Sequence, residues 1–142
     1  MILYLDTSSL VKLYVEEAGS QEVRDQVAGA TAVATATIAH VEARAAFARK
    51  RRQGGLSEDE YRHVLDSFRE EWPAYLSVDL SEAIINLAGD LTEGHDLRGF
   101  DAIHFASALA LADKLESPVV FSCADERLKA AARDRGLTIP GE

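Results

Sequence analysis

Ile2-Leu3-Tyr4-Leu5-Asp6-Thr7-Ser8-Ser9-Leu10-Val11-Lys12-Leu13-Tyr14 is the stretch whose reading decides the fold. Four apolar residues in a row are too few for a helix and fit a strand buried on both faces. They stop at an acid. Three hydroxyl residues then precede Leu10, Val11, Leu13 and Tyr14, as capping side chains precede a short helix. An acid at a strand-to-helix junction lies on the carboxyl edge of a parallel sheet, the rim where α/β proteins build their sites.

The rest of the chain repeats this alternation. Ser20 to Val27 reads as a helix that stops near Gly29. Thr31 to Thr35 is small and β-branched, a strand. Thr37 is placed to cap a long helix reaching about Gln53, closed by Gly54-Gly55. Ser57-Glu58-Asp59-Glu60 opens the next helix with a hydroxyl cap and acids suited to a helix start. Its apolar positions Tyr61, Val64, Leu65, Phe68 and Trp72 form one stripe, and Pro73 breaks it. Tyr75 to Val78 is a strand, and Ser81 caps the helix that holds Ala83, Ile84, Leu87, Ala88 and Leu91. Residues 94–99 form a loop. Phe100 to Leu115 is an apolar, alanine-rich helix and therefore central. Pro118 to Phe121 is a buried strand, Ala124 to Arg135 a helix ended by Gly136, and Leu137 to Ile139 a last short strand. The expectation is an α/β fold with a mostly parallel sheet and helices on both faces.

The length of 142 residues predicts a single domain over 1–142. An apolar fraction of 47% and a charged fraction of 27% exclude wholesale disorder and fibrous repeats. One cysteine, Cys123, excludes an internal disulfide and a thiolate-rich zinc site. The apolar runs are far too short to span a membrane. Ile2–Leu5 lacks the basic flank of a signal peptide and meets an acid at once, so a cytoplasmic location is expected. The 15 basic and 24 acidic residues leave a net charge of −9. A chain this acidic engages nucleic acid only through a local basic patch or bound cations.

Four acids fall on the expected rim from four separate elements. Asp6 follows the first strand, Glu42 lies inside the helix after the second, Asp101 heads the alanine-rich helix, and Asp125 follows the Val119–Phe121 strand. Each alone has a plain explanation as a charge favoured near a helix start. Together they repel one another, and a hard cation such as Mg²⁺ or Mn²⁺ would offset that repulsion with all-oxygen ligands.

The opening stretch, the Glu42 segment Ile38-Ala39-His40-Val41-Glu42-Ala43-Arg44, the run Arg98-Gly99-Phe100-Asp101-Ala102-Ile103-His104, and Phe121-Ser122-Cys123-Ala124-Asp125-Glu126-Arg127-Leu128 resemble, in order, the four acidic motifs of PIN domains. The similarity runs over essentially the whole chain and is to VapC-type toxins of toxin–antitoxin pairs. The resemblance implies a PIN-like three-layer α/β/α fold around a mostly parallel sheet of four or five short strands. It implies an Mg²⁺- or Mn²⁺-dependent endoribonuclease that hydrolyses RNA phosphodiester bonds, with Asp6, Glu42, Asp101 and Asp125 as metal-binding acids. It also implies a homodimer silenced by a cognate antitoxin protein. The family often carries Thr or Ser two residues before the fourth acid. Here that place holds Cys123, with Ser122 one earlier, and Ser8 stands two residues after Asp6. Ser8 and Ser122 are thus the hydrogen-bonding candidates around the acids.

Arg44, Arg49, Lys50, Arg51 and Arg52 read equally well as phosphate contacts and as cations complementing a helix end. Arg98, three residues before Asp101, is the better candidate for phosphate or for an ion pair with a site acid. His104 on its apolar helix reads as core packing ahead of metal ligation, His40 as structural, His63 and His95 as surface residues, and Cys123 as a small buried filler. Tyr61, Phe68 and Trp72 read as core or dimer interface ahead of base stacking. The alternative function is a non-catalytic PIN-like module that binds RNA or protein. A phospho-acceptor receiver domain is disfavoured: Asp6 stands alone after the first strand, and Lys129 lies inside a helix.

Overall fold

Ile2–Leu5 forms strand β1, and its alternation divides the core. Successive side chains of a strand point to opposite faces. Tyr4 therefore packs with one layer of helices, while Leu3 and Leu5 pack with the other. The computed structural model describes Met1 to Glu142. After β1 come α1 (Thr7–Val11), α2 (Ser20–Ala28), β2 (Ala32–Ala36), α3 (Ile38–Arg52) and α4 (Glu58–Glu71). A 3₁₀ turn over Trp72–Ala74 leads to β3 (Leu76–Val78), α5 (Glu82–Gly94), α6 (Gly99–Leu115), β4 (Val119–Ser122) and α7 (Glu126–Asp134). The four strands are all parallel, in the order β3-β2-β1-β4. β1 is thus central, and the residues that leave its carboxyl end are flanked by β2 and β4.

The expected fold is present, with local differences. Leu137–Ile139 is not a strand: it adds only a single parallel bridge, Thr138 to Val120. Three residues after the turn at Gly136, where φ is +88°, leave no length for a ladder. The expected hydroxyl cap of the first helix is displaced by Asp6 itself, whose carboxylate accepts from the Ser9 amide. Thr37 precedes α3 but makes no cap; its hydroxyl donates to the Val78 carbonyl at 2.9 Å and ties α3 to β3. Ser57 and Ser81 cap as expected, Ser57 in a full capping box with Glu60. α4 ends at Glu71, and Pro73 lies in the tighter turn that follows.

One face of the sheet is covered by α1, α3 and α4 around Leu3, Leu5, Phe47 and Phe68. Phe68 is the hub of an aromatic cluster: its ring lies 5.3 Å from Tyr14, 5.4 Å from Phe47, 5.2 Å from His40 and 5.6 Å from Trp72. The stripe on α4 is core, and His40 is structural as expected. The other face carries α5, α6 and α7 around Tyr4, Phe105, Phe121 and Leu128. Small residues Ala102, Ala106 and Ala108 let α6 lie close to the sheet, which explains the alanine-rich composition. His63 is exposed, but His95 is half-buried with its ring 6.0 Å from Phe105, a correction to its expected surface position.

Candidate active site

The end of β1 brings Asp6 to the rim. The ladder with β4 continues one step past the strand, since the Asp6 amide donates to the Ser122 carbonyl at 3.0 Å. The side chain turns into α1, where Oδ1 accepts from Ser8 Oγ at 2.7 Å and from the Ser9 amide at 3.0 Å. Asp6 is only 4% exposed. Burial pushes its pKa above the ordinary carboxylate value, Ser8 and Ser9 oppose the shift, and the nearby Asp101 charge adds to it. Both protein donors fall on Oδ1, which leaves Oδ2 to a ligand.

Glu42 reaches the same place from α3. Its Oε1 accepts from Thr7 Oγ1 at 2.6 Å and lies 3.0 Å from His104 Nε2. Burial raises its pKa, but the hydrogen bonds from His104 and Thr7 outweigh it and hold the carboxyl below its usual value. Asp101, in the first turn of α6, pairs with the Arg98 guanidinium at 3.2 Å. Asp6, Glu42 and Asp101 line one cavity of about 940 Å³ together with Thr7, Ser8 and His104. The same cavity is also lined by apolar side chains, among them the exposed Ile85 and Phe100.

Asp125 stands apart. It caps α7 by accepting from the Leu128 amide at 3.0 Å and lines a smaller neighbouring hollow with Asp101. Arg98 lies between the two acids, 4.0 Å from Asp125. Of the four acids expected to meet, three line one cavity, and the fourth lies in the next hollow, across a guanidinium. No three His, Cys, Asp or Glu side chains stand close enough as they are to hold one ion. The acids are gathered but not yet converged.

The auxiliary residues divide as clearly. Ser8 holds Asp6 as expected and also accepts from the Ala124 amide at 3.3 Å, stitching the rim across to the end of β4. Ser122 does not serve Asp125: its buried hydroxyl pairs with Ser9 at 2.9 Å. Cys123 is buried, as expected, and burial pushes its thiol up. Arg49 and Arg98 line the cavity, whereas Arg44 does not. Arg51 lies over the Tyr61 ring, 4.0 Å from its centroid. Thr7 and His104 were not expected at the site. Thr7 was legible only as a hydroxyl beside Asp6. His104, three residues after Asp101, carried the one usable signal, a shared helix face.

A model of the PIN domain matches residues 3–134. The chain belongs to the PIN-domain family. This PIN-family chain is 34% identical over 138 residues to Ribonuclease VapC45 of Mycobacterium tuberculosis, covering 97% of the chain and 94% of that relative. Among solved structures it resembles FitAcB of Neisseria gonorrhoeae with a TM-score of 0.66 at 18% identity, covering 98% of this chain and 96% of that one. It also resembles a toxin–antitoxin complex from Klebsiella pneumoniae with a TM-score of 0.58 at 16% identity, covering 88% of each chain.

The residues of this PIN-family chain fit a hard divalent cation. The donors are carboxylate and hydroxyl oxygens, without thiolate, and suit Mg²⁺ or Mn²⁺ better than zinc. Asp6 is a buried carboxylate whose pKa is raised first by burial, with the Asp101 charge adding to it, and a bound cation would oppose both. No helix is long and apolar enough to cross a membrane.

Proposed function

We propose that this chain is an endoribonuclease toxin whose divalent ion, Mg²⁺ or Mn²⁺, is held by Asp6, Glu42 and Asp101, with Asp125 at the margin. The observation that carries this reading is the single cavity lined by those three carboxylates, delivered by β1, α3 and α6, with Arg49 and Arg98 beside them. The relative named as a ribonuclease and the toxin–antitoxin complex among the structural neighbours support it. The homodimer, the cytoplasmic location and the cognate antitoxin belong to the same reading.

A bound divalent ion lowers the pKa of water and neutralises charge developing on the phosphoryl oxygens. The chain's own residues do the rest. Ser8 and the Ser9 amide hold the Asp6 carboxylate in one orientation. Thr7 does the same for Glu42. Arg98, 82% exposed in its side chain, is free to leave Asp101 for a phosphate of the RNA strand. Arg49 supplies a second cation on the cavity wall. These two contacts give an acidic protein a local hold on RNA.

The deciding experiment is calorimetric titration of Mn²⁺ into the wild type and Asp101→Asn, followed by cleavage assays on single-stranded RNA. Saturable binding and metal-dependent cleavage, both lost in Asp101→Asn, are expected. A wild type that binds RNA but neither Mn²⁺ nor Mg²⁺, and does not cut, would replace this reading with the non-catalytic binding module.

A further inference from the structure

Glu42 offers its two oxygens unequally. Oε1 takes the Thr7 hydroxyl at 2.6 Å and lies 3.0 Å from His104 Nε2, and Thr7 Oγ1 is itself 2.9 Å from that nitrogen. The single proton of the Thr7 hydroxyl goes to the carboxylate, so Thr7 can only accept from the ring. An ionised carboxylate is also an acceptor only. Nε2 thus faces two acceptors and must carry a proton. On the far side of the ring, Nδ1 lies 2.8 Å from the Tyr4 hydroxyl. In the neutral imidazole Nδ1 accepts that O–H. Tyr4 cannot drift away: it is fully buried in the central strand, stacked on Phe121 with centroids 5.5 Å apart and edge-on to His104 at 5.8 Å.

We infer that His104 is a positioning residue for Glu42: Tyr4 holds its ring in place, and its Nε2–H, with the Thr7 hydroxyl, anchors Oε1 so that Oε2 remains for a ligand. Asp6 shows the same division, with Ser8 and the Ser9 amide both on Oδ1. The two carboxylates are therefore prepared alike, each with one oxygen held by protein and one left open. The chain of contacts crosses the layers of the fold, from β1 through α6 to α3. A histidine that merely filled the core would need no acceptor pair at Nε2. This inference rests on the function proposed above and adds a residue to it.

The test uses the full chain with His104→Leu, His104→Gln and Tyr4→Phe. Gln places an amide nitrogen near the position of Nε2, whereas Leu deletes both nitrogens. Thermal melts establish folding. Calorimetry with Mn²⁺ alone then reads the site, and ¹⁵N shifts of the imidazole read the tautomer without metal. His104→Leu is expected to weaken Mn²⁺ binding by about 10–100-fold, with Gln restoring most of it. For RNA cleavage, kcat should fall in parallel while KM stays near the wild-type value. The wild-type ring should show Nε2–H, and Tyr4→Phe, which leaves both acceptors at Nε2 in place, should keep that tautomer and weaken Mn²⁺ binding less than His104→Leu does. Wild-type Mn²⁺ affinity in a folded His104→Leu, or a wild-type ring protonated at Nδ1 alone, overturns the inference. If the Leu variant does not fold, His104→Asn, whose amide stands in for Nδ1, takes its place; equal affinities in the Gln and Asn variants then overturn it. A wild type that binds no Mn²⁺ overturns the metal reading first, and this inference with it. Binding by the wild type that survives in His104→Leu sinks this inference alone.

Discussion

Asp6→Asn and Asp6→Ala, made side by side, separate two jobs done by one carboxylate. Asn keeps an oxygen for Ser8 Oγ and the Ser9 amide, now at 2.7 and 3.0 Å from Oδ1, and deletes the charge. Ala deletes both. Burial, opposed by those hydrogen bonds and reinforced by Asp101, raises the Asp6 pKa above 3.8. The folded state therefore holds this proton more tightly than the unfolded state does. The ionised group costs stability above its folded pKa, and that cost fades as the pH falls through it toward 3.8. Metal-free Asp6→Asn escapes the cost, so it should melt at or above the wild type at neutral pH. Its lead should close in mild acid. Asp6→Ala loses the cap of α1, about 1 kcal/mol. It also removes the hydrogen bond that the half-buried Ser8 hydroxyl donates, about 1 kcal/mol more. At about 3 °C per kcal/mol for a chain of this length, Ala should melt about 6 °C below Asn. Calorimetric melts in a chelator measure this, and repeating them with Mn²⁺ completes the assay. Free ion at about 100 times its Kd should stabilise the wild type by about 2.7 kcal/mol and neither variant. An Asn variant that melts below the wild type at neutral pH would refute the argument from burial and repulsion. Equal melting of Asn and Ala would refute the cap.

Further expectations follow from the placement of individual side chains. Arg49→Ala should weaken binding of single-stranded RNA and reduce its salt slope by about 1, while Arg44→Ala, off the cavity, should change neither; fluorescence anisotropy across a salt series measures both. Phe68→Ala should destabilise the fold by about 3–5 kcal/mol in urea, because Phe68 is wholly buried and joins Tyr14, Phe47, His40 and Trp72. Cys123 should resist alkylation in the folded protein under mildly alkaline conditions and react on denaturation, because it is buried and its thiol is pushed up; mass spectrometry of the alkylated chain reads this directly.

Much of the architecture follows from neighbours along the chain. Short apolar runs gave the strands at Ile2–Leu5 and Val119–Ser122 nearly to the residue, since a strand buried on both faces needs no partner to be recognised. Ser57 and Ser81 were legible as caps because a cap joins residues three apart. The misread positions are those whose partner lies elsewhere. Thr37 looks like a cap in isolation, but β3 passes within reach and takes its hydroxyl. Ser122 looks available to Asp125, but the β1–β4 ladder sets it opposite Ser9.

The acids themselves, their order and the rim they occupy were determined by sequence alone, because strand-to-helix junctions of a parallel sheet all open on one edge. The grouping of those acids was decided by tertiary structure. Asp6, Glu42 and Asp101 share a cavity, and Asp125 is turned into the cap of α7 with Arg98 before it. The support of Glu42 was decided there too. Thr7 lies 35 positions from it and His104 62, and the Tyr4 that orients His104 lies 100 positions from that histidine. Local spacing carries no information about such pairs. Strand order and the close approach of α6 bring them within hydrogen-bond distance, and hydrogen bonds act only at that distance.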